Sequence, residues 1–185
     1  MISLPLSATS AENPDTVQDT LKLTPQCLEV LEQQEAVLQF DEFGSREALT
    51  LGNKIAELAG GYDRGVSAAI IRELDGLTLF QFAMDDKAPR NDTFMLGKRK
   101  AALKSGHSSL WAYVKHALTG ECEELFARMP ETLPFAGAFP IRVHGEWTAT
   151  LTISGLHDGK DHELAILALS QVLNREVPAF PATDV

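Results

Sequence analysis

Hydrophobic residues along this chain recur with two periods, and the change between them divides it into elements. Leu28, Leu31 and Leu38 follow Thr24-Pro25 at helical spacing, which predicts a helix over 25–38 with proline in its first turn. A second helix is expected from Ser45, where Ala48, Leu51, Ile55 and Leu58 form one stripe and Gly60-Gly61 ends it. Residues 66–71 and 78–83 read as strands joined through Asp75-Gly76, a pair that tolerates the positive φ of a tight hairpin turn. Asp92 is a good N-cap for a helix over 93–104, which carries Lys98, Arg99, Lys100 and Lys104. Residues 107–114, rich in aromatic and apolar side chains, are expected to be a third strand, followed by a short acidic helix over 121–128.

The strongest alternation comes next. Residues 139–143 and 147–153 flank His144-Gly145-Glu146; Thr148, Thr150 and Thr152 face one way, and Ala149, Leu151 and Ile153 the other. That pattern predicts one buried face and one partly wet. Asp161 opens a last helix with Leu164, Leu167, Ala168 and Val172 on one side and Ile166, Leu169 and Leu173 on a second. Two apolar sides predict a sandwiched helix, inside the domain or at a subunit interface. Two tight hairpins require antiparallel pairing, so the fold class is α+β rather than a doubly wound parallel sheet.

Composition narrows this picture. A chain of 185 residues fits one domain, expected over 24–176 between a disordered acidic arm (1–23) and a loose tail (177–185). Up to Phe40, six acidic residues stand against Lys22 alone. The formal net charge of −10 argues against duplex nucleic acid or an anionic membrane as main partner. No apolar run approaches a bilayer span, and the first residues lack the basic segment of a secretory signal, so a cytoplasmic location is expected. Cys27 and Cys122 make no redox or zinc spacing and read as reduced thiols. The chain has no P-loop, no nucleophile elbow and no two-histidine metal helix.

Three clusters are candidates for chemistry. Asn91-Asp92 begins a helix whose Lys98 and Arg99 lie farther along, and the segment ends in His107-Ser108-Ser109. Such a helix start can hold an anion or simply be capped with a solvated basic face. Gly137 and Phe139 belong to a small-residue stretch that allows close backbone approach. Ser154-Gly155 ends a strand before Asp161-His162, where capping by Asp161 competes with acid–base work.

Phe139-Pro140-Ile141, the strand end Thr152-Ile153-Ser154-Gly155-Leu156 and Asp161-His162-Glu163-Leu164 together resemble the C-terminal signature of the haem-degrading domain family, which includes HbpS, GlcG and PduO C-terminal-domain proteins. Asn91-Asp92, Lys98-Arg99 and Ser108-Ser109 resemble an uncharacterised subgroup of bacteria and fungi, and the likeness runs over about residues 35–175. Three positions depart from it: Phe135-Ala136-Gly137 replaces His-Gly-Gly, Ala149 a strand glycine, and Phe94 a tryptophan. The resemblance implies a five-stranded antiparallel sheet with helices on both sides, a profilin-like α/β/α arrangement. It also implies homo-oligomers larger than a dimer and, in some branches, haem binding. It brings Asn91, Asp92, Lys98, Arg99, His107, Ser108, Ser109, Gly137, Phe139, Ser154 and Gly155 to one candidate site for a small molecule, with haem or another flat anionic ligand in view and no metal site of the protein's own. Two other functions stay open: an enzyme of haem or small-metabolite breakdown using His107 and Asp92, and an adaptor using the N-terminal region.

Overall fold

The computed structural model describes residues 23–121, 127, 131–157 and 159–181. The expected acidic arm (apart from Leu23), nearly all of the expected 121–128 helix and the last four residues of the tail lie outside the described residues. In chain order the elements are helices α1 (Pro25–Val37) and α2 (Ser45–Ala59), strands β1 (Ser67–Arg72) and β2 (Thr78–Ala83), and helices α3 (Arg90–Ser105) and α4 (Ser109–Thr119). Strands β3 (Ala138–Val143) and β4 (Glu146–Ser154) and helix α5 (Lys160–Leu173) complete them.

The fold is α+β, with a fully antiparallel sheet in the order β2-β1-β4-β3. Both hairpin turns use the positive-φ residues that the sequence offers, Gly76 in the first and His144-Gly145 in the second. Among the described residues four strands stand where five were expected. Residues 107–114 are not a strand, and beside β3 the chain forms only a single parallel bridge, Phe40 to Val143.

Helices cover both faces of the sheet, each for a different physical reason. One face carries Ala68, Ile70, Phe139, Ile141, Leu151 and Ile153, which pack against Ala48, Leu51 and Ile55 of α2 and Leu164, Ala168 and Leu169 of α5. Burying this stripe supplies the hydrophobic drive, at roughly 25 cal/mol per Å² of apolar surface. The other face presents Ser67, Ala69, Thr150, Thr152 and Ser154, as the register requires. It is not wet. Helix α3 lies across it, and Thr150 and Thr152 are fully buried.

Helix α4 corrects the expected third strand. Leu110, Tyr113 and Val114 are buried and stand at i, i+3 and i+4, a helical spacing, while Lys115 and Leu118 point outward. The Ser108 side chain accepts a hydrogen bond from the Trp111 N–H, so the segment that looked like a strand start is an N-cap. The cap and the helical period override the β propensity of the aromatic side chains here. Ser108→Ala is expected to lower unfolding stability by about 1 kcal/mol, seen as a lower urea midpoint with unchanged m-value.

Candidate functional site

The site begins with a problem of burial. Helix α3 must cover a face of serines and threonines, and its own inward residues include Asn91 and Lys98, both buried. Each is satisfied by a named partner. The Lys98 ammonium donates to Asp161 Oδ2 at 2.7 Å and to the Ile153 carbonyl at 2.9 Å. Asp161 Oδ1 in turn accepts from the Leu156 N–H at 2.9 Å. Asn91 donates to the Ser154 hydroxyl at 3.2 Å and accepts from the Ala88 N–H.

Gly137 sits against this knot at φ +125°. A Cβ there would lie 2.3 Å from the Ile153 carbonyl and 3.0 Å from the Lys98 ammonium. Gly155, at φ +150°, would push a Cβ to 2.3 Å from the Gly65 carbonyl. Both positions therefore require glycine. Ser109 adjoins the knot by accepting from the Ala138 N–H at 2.9 Å and donating to the Phe135 carbonyl.

The remaining candidates lie elsewhere. Arg99 makes a bidentate pair with Glu73, to which Thr150 also donates, so it fastens α3 toward the β1–β2 hairpin. Phe139 is in the main core, 6.0 Å from the His162 ring. Asp92 is exposed in the first turn of α3, where Pro89 is the N-cap. The structure thus brings Asn91, Lys98, Gly137, Ser154, Gly155 and, through Ala138, Ser109 together. His107 and Ser108 form a second group; Asp92 and Arg99 join neither.

That second group is completed by residues the sequence reading did not select. Glu35 on α1 is buried, and its carboxylate accepts from the Ser108 N–H at 2.7 Å and from His107 Nδ1 at 3.0 Å. A carboxylate at a helix N-terminus is favourably placed in the helix dipole. The His107 ring stacks on Trp111 with centroids 4.1 Å apart and planes 21° apart, and Trp111 Nε1–H donates to Glu32. Glu35 and His107 are 72 residues apart, so no local spacing could have paired them.

One more buried group matters. His162 is fully enclosed, its Nε2–H donates to Gln34 Oε1 at 2.8 Å, and its Nδ1 has no partner. Burial alone pushes its pKa down to about 3, so the native ring is neutral. The Gln34 amide also donates to the Pro178 carbonyl.

Two hollows in the surface lie away from the knot. One, of about 450 Å³, is an open depression around residues 42–47; the other, of about 120 Å³, lies between α3 and α4 beside Ala101 and His116. Among the described residues no group of three or more His, Cys, Asp or Glu side chains is arranged to hold a metal ion, and no helix is long and apolar enough to cross a membrane.

Comparison with known proteins agrees with this fold. The family model described as haem-degrading protein, HbpS-like, matches residues 43–170. A UPF0303 protein of Rhizobium johnstonii is 33% identical over 147 residues, covering 78% of this chain and 90% of its own length. Among solved structures, the Ybr137w protein superposes with TM-score 0.72 at 29% identity, over 80% of this chain and 90% of that one. The PduOC–heme complex superposes with TM-score 0.56 at 16% identity, over 69% and 93%, and so shares the fold.

Two measurements check the site's energetics. Lys98→Ala leaves Asp161 buried without its charge partner and is expected to cost about 3–5 kcal/mol in chemical denaturation, whereas Lys98→Met combined with Asp161→Leu costs less than the single change. The second concerns pH. The unfolded chain binds a proton at His162 below about 6.5 while the native ring stays neutral to about 3. Its stabilising contribution is therefore complete above pH 6.5 and lost as pH falls toward 3, at up to about 1.4 kcal/mol per pH unit. His162→Gln should flatten that part of the stability–pH curve.

Proposed function

The chain belongs to the HbpS-like family of haem-degrading proteins, and from that premise we propose that it is an oligomeric small-molecule-binding protein for a flat, anionic ligand, with haem the first to test. One observation carries the reading. The polar groups of the buried knot are already satisfied by one another, whereas the rim at the start of α4 offers a half-exposed imidazole held against the Trp111 ring. The Arg142 guanidinium donates to the Gly106 carbonyl one residue away and adds positive charge there. Flat acids bind where an aromatic wall and a cation stand together. A cytoplasmic setting is consistent with the free thiol of Cys27.

Assembly follows from the edges of the sheet. Strand β2 is an outer strand, and residues 77–84 contain neither charge nor proline, the usual protections of an edge. Leu74 at the hairpin tip is 90% exposed. Pairing β2 with its copy gives a dimer, and the exposed line of Leu96 and Leu103 on α3 supplies a second contact for larger assemblies.

Titrating hemin should produce a saturable, red-shifted Soret band with a dissociation constant of roughly micromolar or tighter. A spectrum that remains that of free hemin refutes the haem reading. Light scattering should give a mass of more than two 20.2 kDa chains. The Leu77→Lys, Gln81→Lys pair should reduce that mass while leaving the circular dichroism unchanged.

A further inference from the structure

We propose that His107 Nε2 is the atom of this chain that ligates haem iron, and that Glu35 is its positioning residue. This rests on the haem reading above and assigns an atom to it. The donor set fits such a ligand. Glu35 accepts the Ser108 N–H on one oxygen, so its other oxygen takes the proton of His107 Nδ1–H. That tautomer leaves the lone pair on Nε2, the nitrogen a metal needs, and among the described residues no hydrogen bond engages it. Imidazole ligands of metals commonly donate their other nitrogen to a carboxylate in this way, which fixes the ring and raises its basicity.

Burial sharpens the assignment. Glu35 is buried while the His107 side chain keeps 32% of its surface, so the brace is fixed and the ligand reachable. Trp111 holds the ring by stacking, and its own N–H is occupied by Glu32. The Arg142 guanidinium, which donates to the carbonyl of neighbouring Gly106, is the cation that a hydrogen bond places nearest the ring.

The other histidines lack this combination. His162 is fully enclosed, and His157 contacts Arg64. His144 is a turn residue at φ 50°, and the partner of His116, Glu121, is itself more than half exposed. An imidazole that is both accessible and braced by a buried carboxylate occurs at His107.

Hemin titration of the full-length chain and three variants tests the assignment, and the wild type separates its failure from failure of the haem reading. Wild-type protein should give the shifted Soret band. His107→Ala, and His107→Gln in case the alanine variant does not fold, should lose it, and free imidazole added to either should restore it. A side chain with only a structural role would not respond to imidazole. Glu35→Gln presents an amide N–H to Nδ1, which moves the ring proton onto Nε2. Hemin affinity should then fall by about 10–100-fold, and the Fe(III)/Fe(II) midpoint should move to a more positive potential. His116→Ala should behave as wild type. A wild-type shift that survives both His107 substitutions overturns the assignment and leaves the haem reading standing. No shift in the wild type ends both.

Discussion

The structure depends on the ion pair between Lys98 and Asp161, buried beneath α3 where the end of β4 meets the start of α5. On the sheet face beneath α3, Thr150 bonds to Glu73 and Thr152 to the Ala69 carbonyl, but Ser154 takes its partner from the helix, so no wholly apolar helix can cover the face without losing that bond. A helix with a polar underside can, provided each group it buries finds a partner. Taking two charges out of water costs several kcal/mol per ion, and attraction between them offsets that only when every remaining site is hydrogen-bonded. Here the ammonium also meets the Ile153 carbonyl and the carboxylate meets the Leu156 N–H. Three elements are thereby held in one register, and Gly137 has to be glycine because a side chain would collide with the pair.

Such a layer favours uniqueness over bulk stability. The α2/α5 side of the sheet would tolerate many apolar combinations of the right volume. The α3 side accepts one alignment, since sliding the helix by a residue would strand Lys98, Asn91 and Arg99 together. The residues that resemble the family signature lie largely in this layer: Asn91, Lys98, Ser154, Gly155 and Asp161. The departures are mild in this light. Phe135 contributes its backbone carbonyl to Ser109, and Ala149 fits fully buried on the apolar face.

How much of this was legible in the sequence depended on distance along the chain. Helix α2, both hairpins and the alternation in β4 are local patterns and appear where expected. Residues 107–114 form a helix where a strand was expected, because the 110, 113, 114 period and the Ser108 cap outweigh the β propensity of the aromatic side chains. The expected wet face of β4 was in fact buried, because a helix with little apolar character gives no hint that it covers anything. The site was legible as a set of residues but not as a geometry. Lys98 and Asp161 are 63 residues apart, Glu35 and His107 are 72 apart, and only the folded backbone joins them.

The Gln34 side chain has one further effect on the molecule. Its carboxamide ties α1 at once to His162 and to the Pro178 carbonyl, while Leu23 and Phe180 pack against the same small cluster of Cys27, Leu31, Leu110 and Val114. Leu23 and Phe180, close to the two ends of the described residues, therefore pack against one cluster. A linker joining those two residues, with new ends opened at the exposed His144-Gly145 turn, would give a circular permutant with the same body. Conversely, a bulky group attached at Leu23 or Phe180 would press on the cluster beneath α1, the helix that carries Glu35.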